Sequence, residues 1–235
     1  MEKKIVNRRV TLFARVPIII DEHTLPKFVE AFSGLGLLPS VNKGLGLRLT
    51  PQGVIQENVI SLEMKYLDDT LKVSIGADRF DIIDTQKNES MDIFMHKVRE
   101  IIVAISKVYL DVFTRLALCT TVIFDMDIFL LNKIYQKIIN TQDENPVEWQ
   151  IRKVLRTKLE QKDELIINNV YTLSRNMMQI GVEPPVDRIM LDIDINTIVG
   201  SDVNILKQSE KDFWKIATQT IEKAINEYTD LILHD

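Results

Sequence analysis

The stretch Ile60-Ser61-Leu62-Glu63-Met64-Lys65-Tyr66-Leu67-Asp68-Asp69-Thr70-Leu71-Lys72-Val73-Ser74-Ile75 alternates apolar and polar residues on both sides of an Asp-Asp pair. Ile60, Leu62, Met64 and Tyr66 fall on one side of an extended chain, while Ser61, Glu63 and Lys65 fall on the other. That period of two belongs to a half-buried strand. Asp68-Asp69 supplies turn chemistry, and Leu71, Val73 and Ile75 resume the alternation, so the stretch predicts a hairpin.

Upstream, Val10–Val16 and then Ile18-Ile19-Ile20 predict a strand over 8–20. Asp21 stands where a helix N-cap would, ahead of Leu25, Phe28, Val29 and Phe32 at helical spacing. Gly34 and Gly36 end that helix. The run Gly34-Leu35-Gly36…Gly44-Leu45-Gly46 matches neither G-x-G-x-x-G nor G-x-x-x-x-G-K-[ST], and it predicts a connector, not a phosphate cradle. Downstream, Phe80 and Ile82 make a third short strand, and Ser90 caps a long helix with the stripe Phe94, Val98, Ile101, Ile105, Val108 and Val112.

The second half follows the same order. Thr114–Phe124 is an apolar strand, and Asp125 precedes a helix carrying Ile128, Leu131, Ile134 and Ile138. After a polar break at 140–146 come strands over Trp149–Leu159 and Leu165–Met177, joined by the turn-like residues 161–164, and a third over Arg188–Asn196. Ser209-x-x-Asp212 resembles a capping box opening a final helix, with Phe213, Ile216, Ala217, Ile221, Ala224, Tyr228 and Leu231 on one face. The expectation is an α+β fold: two tandem β-α-β-β-β-α units, over 1–112 and 113–235, forming a curved antiparallel sheet packed against two long helices. A groove between helix and sheet is compatible with that plan.

Composition narrows the classes. The 235 residues are 46% hydrophobic and 27% charged, which excludes disorder as a starting point. A net charge of −5 disfavours a dedicated nucleic-acid binder. The single cysteine, Cys119, lies in the apolar run 116–123; it cannot form an internal disulfide and reads as a buried small hydrophobe in a reducing compartment. The N-terminal residues lack the apolar region of a signal peptide, and no window is apolar enough for a membrane span, so a cytoplasmic protein is expected.

Chemistry-bearing motifs are scarce. His23, His96 and His234 have no ligand spacing and read as solvated. Asp125 and Asp127 flank Met126, and Asp192 and Asp194 share a strand face. The latter pair is a weak metal candidate, against the alternative of a wetted sheet face. No G-x-S-x-G elbow occurs, so a hydrolase of that type has no support; no catalytic residue or cofactor is identified, and an enzyme would need residues distant in sequence to converge. On the basic run 152–158, Arg152, Arg156 and Lys158 share a face, and Arg175 is expected on a neighbouring strand. Such a face could meet phosphates or an acidic protein, although outer strands also carry Lys and Arg to prevent aggregation. Tyr171, Arg175 and Arg188 are the residues expected to line a helix-over-sheet cavity.

The segment Phe113-Thr114-Arg115-Leu116-Ala117-Leu118, leading to Ile123-Phe124-Asp125, resembles a central strand motif of a sporadically distributed bacterial family of uncharacterised proteins. Ile189–Asp194 and the helix holding Phe213 and Trp214 are similar to that family's C-terminal end. Where the family continues with an Arg-Tyr-x-Asn-Arg-like stretch, this chain has Cys119-Thr120-Thr121. The resemblance implies no catalytic residue; it implies a setting among mobile or defence-associated genes. The expected function is a non-catalytic interaction component: a subunit, sensor or antitoxin-like partner of another protein or of a second copy. A small-ligand binder and a nucleic-acid binder are the alternatives.

Overall fold

The structure, a computed structural model, describes residues 2–50, 53–86, 89–139, 146–159, 162–179, 182, 184–201 and 203–233. The polar break at 140–145, Gln161 of the expected turn, and His234 lie outside the described residues. The fold is mixed α+β. Among the described residues the strands are β1 (Glu2–Ala14), β2 (Leu38–Thr50), β3 (Gly53–Lys65), β4 (Leu71–Ile75), β5 (Arg79–Asp84), β6 (Phe113–Asp125), β7 (Trp149–Leu159), β8 (Lys162–Met178) and β9 (Val186–Thr197). The α-helices among the described residues are α1 (Leu25–Phe32), α2 (Met91–Val108), α3 (Ile128–Ile139) and α4 (Val203–Leu233). Within Arg9–Leu116 the strand order includes β2-β3-β4-β5, and within Ala117–Asp235 it is β6-β9-β8-β7.

The chain divides into two compact units, one of Arg9–Leu116 and one of Met1–Arg8 with Ala117–Asp235. In the Arg9–Leu116 unit, β2, β3, β4 and β5 form an antiparallel meander. The hairpin of residues 60–75 is β3–β4, with Leu62 opposite Ile75 and Lys65 opposite Lys72. Asp69 closes its turn at φ 56, a left-handed conformation that Asp tolerates better than bulkier residues. The Asp68 carboxylate accepts from Thr70 N–H at 3.1 Å and Thr70 Oγ1 at 2.8 Å, which stiffens the same turn. The inward positions Leu62, Met64, Val73, Phe80 and Ile82 are fully buried, and so are Phe94 and Val98 of α2. Ser90 caps α2 as expected, its Oγ accepting from Ile93 N–H at 3.3 Å. Asp84, at the end of β5, is 1% exposed. Burial pushes its carboxyl up to about 6, helped by the neighbouring Glu89 and opposed by Gln86 N–H and Lys97.

Four local expectations are corrected here. First, Gly44 is not in a connector but in β2, so this half holds four strands between α1 and α2; small residues obscured the alternation. Second, β1 begins at Glu2 and ends at Ala14, and Ile18–Ile20 lie beyond it. Third, Asp21 accepts from His23 N–H and Thr24 N–H in a turn, while Thr24 holds the N-cap position of α1. Fourth, Val112 lies past the end of α2.

In the second unit, β6, β9, β8 and β7 are neighbours in that order and every pair is antiparallel. Ile189, Leu191, Ile193 and Ile195 of β9 are buried on one face, together with Phe213, Ala217 and Ile221 of α4. Two caps differ from expectation. Asp127, not Asp125, caps α3: its Oδ1 accepts from Phe129 N–H at 2.9 Å and Leu130 N–H at 3.1 Å. Helix α4 starts at Val203, so Ser209 lies inside it and is fully buried. No described helix is long and apolar enough to cross a membrane.

Candidate functional site

β7 is the last strand of the sheet order, and among the described strands only β8 pairs with it. Its far edge therefore presents a row of backbone N–H and C=O groups able to accept another strand. Residues 152–158 are all exposed. They include Arg152, Lys153, Arg156 and Lys158, with no Asp or Glu between 149 and 159. Val154 and Leu155 are each 43% exposed, so this edge mixes positive charge with apolar surface.

Register divides the side chains between two faces. Arg152 is opposite Thr172, Val154 opposite Val170 and Arg156 opposite Asn168, and Arg156 Nε donates to Asn168 Oδ1 at 3.3 Å. The same rows continue to Asp192 and Asp194 of β9. Two strand spacings, about 10 Å, separate the arginine row from these carboxylates. Thr121 Oγ1 donates to Asp192 at 2.6 Å, and Cys119 Sγ lies 3.4 Å from Asp194 Oδ1. Cys119 is thus half-buried on a polar face instead of being a wholly buried hydrophobe. Among the described residues no group of three or more His, Cys, Asp and Glu side chains could hold a metal ion.

Arg175 does not extend the basic face. It is opposite Trp149, an odd number of residues from the Arg152–Thr172 pair, so it leaves β8 on the other side. There it is 2% exposed, and its Nε and Nη2 donate to Asp187 Oδ2 at 2.9 and 2.7 Å. Its Nη1 donates to Asn132 Oδ1 at 2.8 Å and to the Pro146 carbonyl at 3.0 Å, tying α3 and the approach to β7 to the sheet.

Arg188 is equally committed, on the outer face. It is 3% exposed, pairs with Asp125 and donates to the Met178 carbonyl at 2.6 Å. Lys4 Nζ sits 3.0 Å from the second Asp125 oxygen. Burial raises the Asp125 carboxyl, but the hydrogen bonds from Arg188 and Lys4 outweigh it and hold the group below the usual carboxylate range. The expected cavity trio therefore does not assemble.

Tyr171 lines an opening beside α4. Its ring centroid lies 6.1 Å from that of Tyr228 on α4. Burial pushes the Tyr171 phenol up, with further contributions from Tyr228 and Glu227, and burial does the same to Tyr228. Next to it on the inward face is Asn169, which the sequence reading missed. The signal was present: in Leu165, Ile167, Asn169, Tyr171, Leu173, an amide occupies a position where the alternation calls for an apolar residue. His23 and His96 are exposed, beside Glu22 and Glu100.

The fold and these side chains define a mixed α+β protein with a large sheet and a basic sheet edge. No family model and no curated protein matches the chain. Among solved structures, the chain is similar to the di-domain ARO/CYC StfQ from the steffimycin biosynthetic pathway, at 8% identity and a TM-score of 0.17, over 93% of this chain and 99% of that one. A likeness of that size carries no argument about fold or function.

Proposed function

We propose that this protein is a non-catalytic interaction component that binds a partner protein by adding a strand to the edge of β7. The observation that carries the reading is the charge on that edge. Four cations and no carboxylate lie on an exposed strand of a chain whose net charge is −5. The partner of matching chemistry is an extended acidic segment. On the outer face its carboxylates would stand opposite Arg152, Arg156 and Lys158, with an apolar residue opposite Val154. Main-chain hydrogen bonds would supply affinity, and the alternate side chains would supply selectivity. The protein then acts as a subunit, sensor or antitoxin-like partner; a bacterial defence setting rests on the sequence resemblance alone. The order of elements also supports a duplicated plan: β-α-β-β-β-α in the second half, with one strand more in the first.

The test is native mass spectrometry of the protein isolated from its own cells, comparing the wild type with an Arg152→Glu/Arg156→Glu variant. The expected result is a stoichiometric protein partner, cross-linked to β7 through an acidic segment and absent from the variant. A bare monomer, a nucleic-acid complex, or a partner retained by the variant overturns the reading.

A further inference from the structure

On the inward face of the same strands, α4 leaves a hollow of about 270 Å³ over β7 and β8. Leu155, Ala224, Tyr171 and Tyr228 line it, together with the cationic residues Lys153 and Lys223. Glu227 is 3.6 Å from Lys223, which leaves the hollow with one net positive charge. Asn169 borders it and is 6% exposed. Its Nδ2 donates to Thr157 Oγ1 at 3.3 Å, while its Oδ1 is buried and accepts no hydrogen bond. A buried amide oxygen without a donor costs stability, and a bound donor group would recover that cost.

We propose that this hollow is a binding site for a small flat aromatic monoanion that carries a hydroxyl or N–H donor at one end and a carboxylate at the other. Each part of the ligand answers a feature of the wall. The flat rings of Tyr171 and Tyr228 accept an aromatic system. The donor meets Asn169 Oδ1 once the amide turns toward the hollow, because that oxygen has almost no exposed surface in the free protein, and the carboxylate meets Lys153 and Lys223. The volume falls just below the ~300 Å³ at which small-molecule sites begin, which limits the ligand to one or two fused rings. The site is separate from the strand edge: it uses Lys153 and Leu155 of β7, whereas the proposed partner's carboxylates meet Arg152, Arg156 and Lys158.

The experiment uses the full chain and three probes: 6-hydroxy-2-naphthoate, 2-naphthoate without the donor, and 2-naphthol without the carboxylate. Affinity is read by calorimetry and location by amide NMR shifts. The hydroxynaphthoate should bind with a Kd on the order of 100 µM, a modest affinity for its size. Its shifts should centre on 153–157, 169–171 and 220–228. Either truncated probe should bind about tenfold more weakly, as expected when a buried polar group is left unpaired. Thr220→Trp, which fills the hollow from the helix, and Lys153→Glu, at an exposed site that leaves folding intact, should each weaken the hydroxynaphthoate by about the same factor. Absence of binding at millimolar probe, equal affinity for all three probes, or affinity unchanged in Lys153→Glu overturns the proposal. These readouts do not depend on any protein partner, so this site and the strand edge stand or fall separately.

Discussion

Two sets of arginines on neighbouring strands of one unit lead opposite lives. Arg175 and Arg188, on β8 and β9, are 2% and 3% exposed, and each is held by a carboxylate and a backbone carbonyl. Arg152 and Arg156, on the edge strand β7, are exposed, and Arg156 donates to Asn168. A guanidinium withdrawn from water must be matched by local acceptors, and once matched it has nothing left to offer a ligand. At an edge, water carries the cost, and the charge remains available to a partner. Position in the sheet, not residue type, separates structural arginines from candidate binding ones.

The largest expected effect lies at the buried end of this contrast. Arg175→Ala strands Asp187, Asn132 and the Pro146 carbonyl, and should destabilise the protein by about 3–5 kcal/mol in urea unfolding. A loss under ~1 kcal/mol would show that a buried guanidinium here is no more structural than an exposed one.

The next effect concerns pH, where two carboxyls, Asp84 buried and Asp125 half-buried, have opposite signs. Asp84 has its carboxyl raised to about 6 in the folded protein. The native state therefore holds a proton that the unfolded chain has released, and stability falls as pH rises from roughly 4 to 6, by about 1–3 kcal/mol. Asp84→Asn should flatten that slope. Asp125, lowered by Arg188 and Lys4, should instead contribute stability that is present above the usual carboxylate range and lost as pH falls below it. Unfolding profiles of Asp84→Asn and Asp125→Asn between pH 3 and 7 (on the order of ten points) would separate the two; parallel profiles would remove the contrast.

A smaller change is expected at a helix start. Ser90→Ala removes the acceptor for Ile93 N–H and should cost about 1 kcal/mol of stability. Smallest of all, Arg152→Glu/Arg156→Glu should shift stability by less than about 0.5 kcal/mol, while abolishing partner capture. A large loss of stability in that variant would move the edge arginines into the same structural class as Arg175.

Periodicity carried the elements a long way. Trp149–Leu159 has the bounds read from its sequence, and the hairpin around Asp68-Asp69 and the Ser90 cap stand where the alternation and capping chemistry placed them. β2 was hidden because glycines carry no side chain to mark a face, and the Asp127 cap was hidden because Asp125, two residues earlier, offered the same chemistry. The site was less legible than the fold. Arg152 and Arg156 could be assigned to one face because side chains alternate within a single strand. Whether Arg175 joined them depended on register, and a shift of one residue moves a side chain to the opposite face. Asn169 was visible as a polar residue in an apolar alternation, yet its unpaired oxygen emerged only with α4 in place above it.

The sequence by itself determined most of the strands and helices, β2 excepted, and which of their faces are apolar, because those follow from spacing along the chain. Tertiary structure alone decided which arginines are consumed by carboxylates, which strand lies at the edge, and where a hollow remains. Those properties depend on pairing and burial between residues far apart in the chain, and no local pattern encodes them.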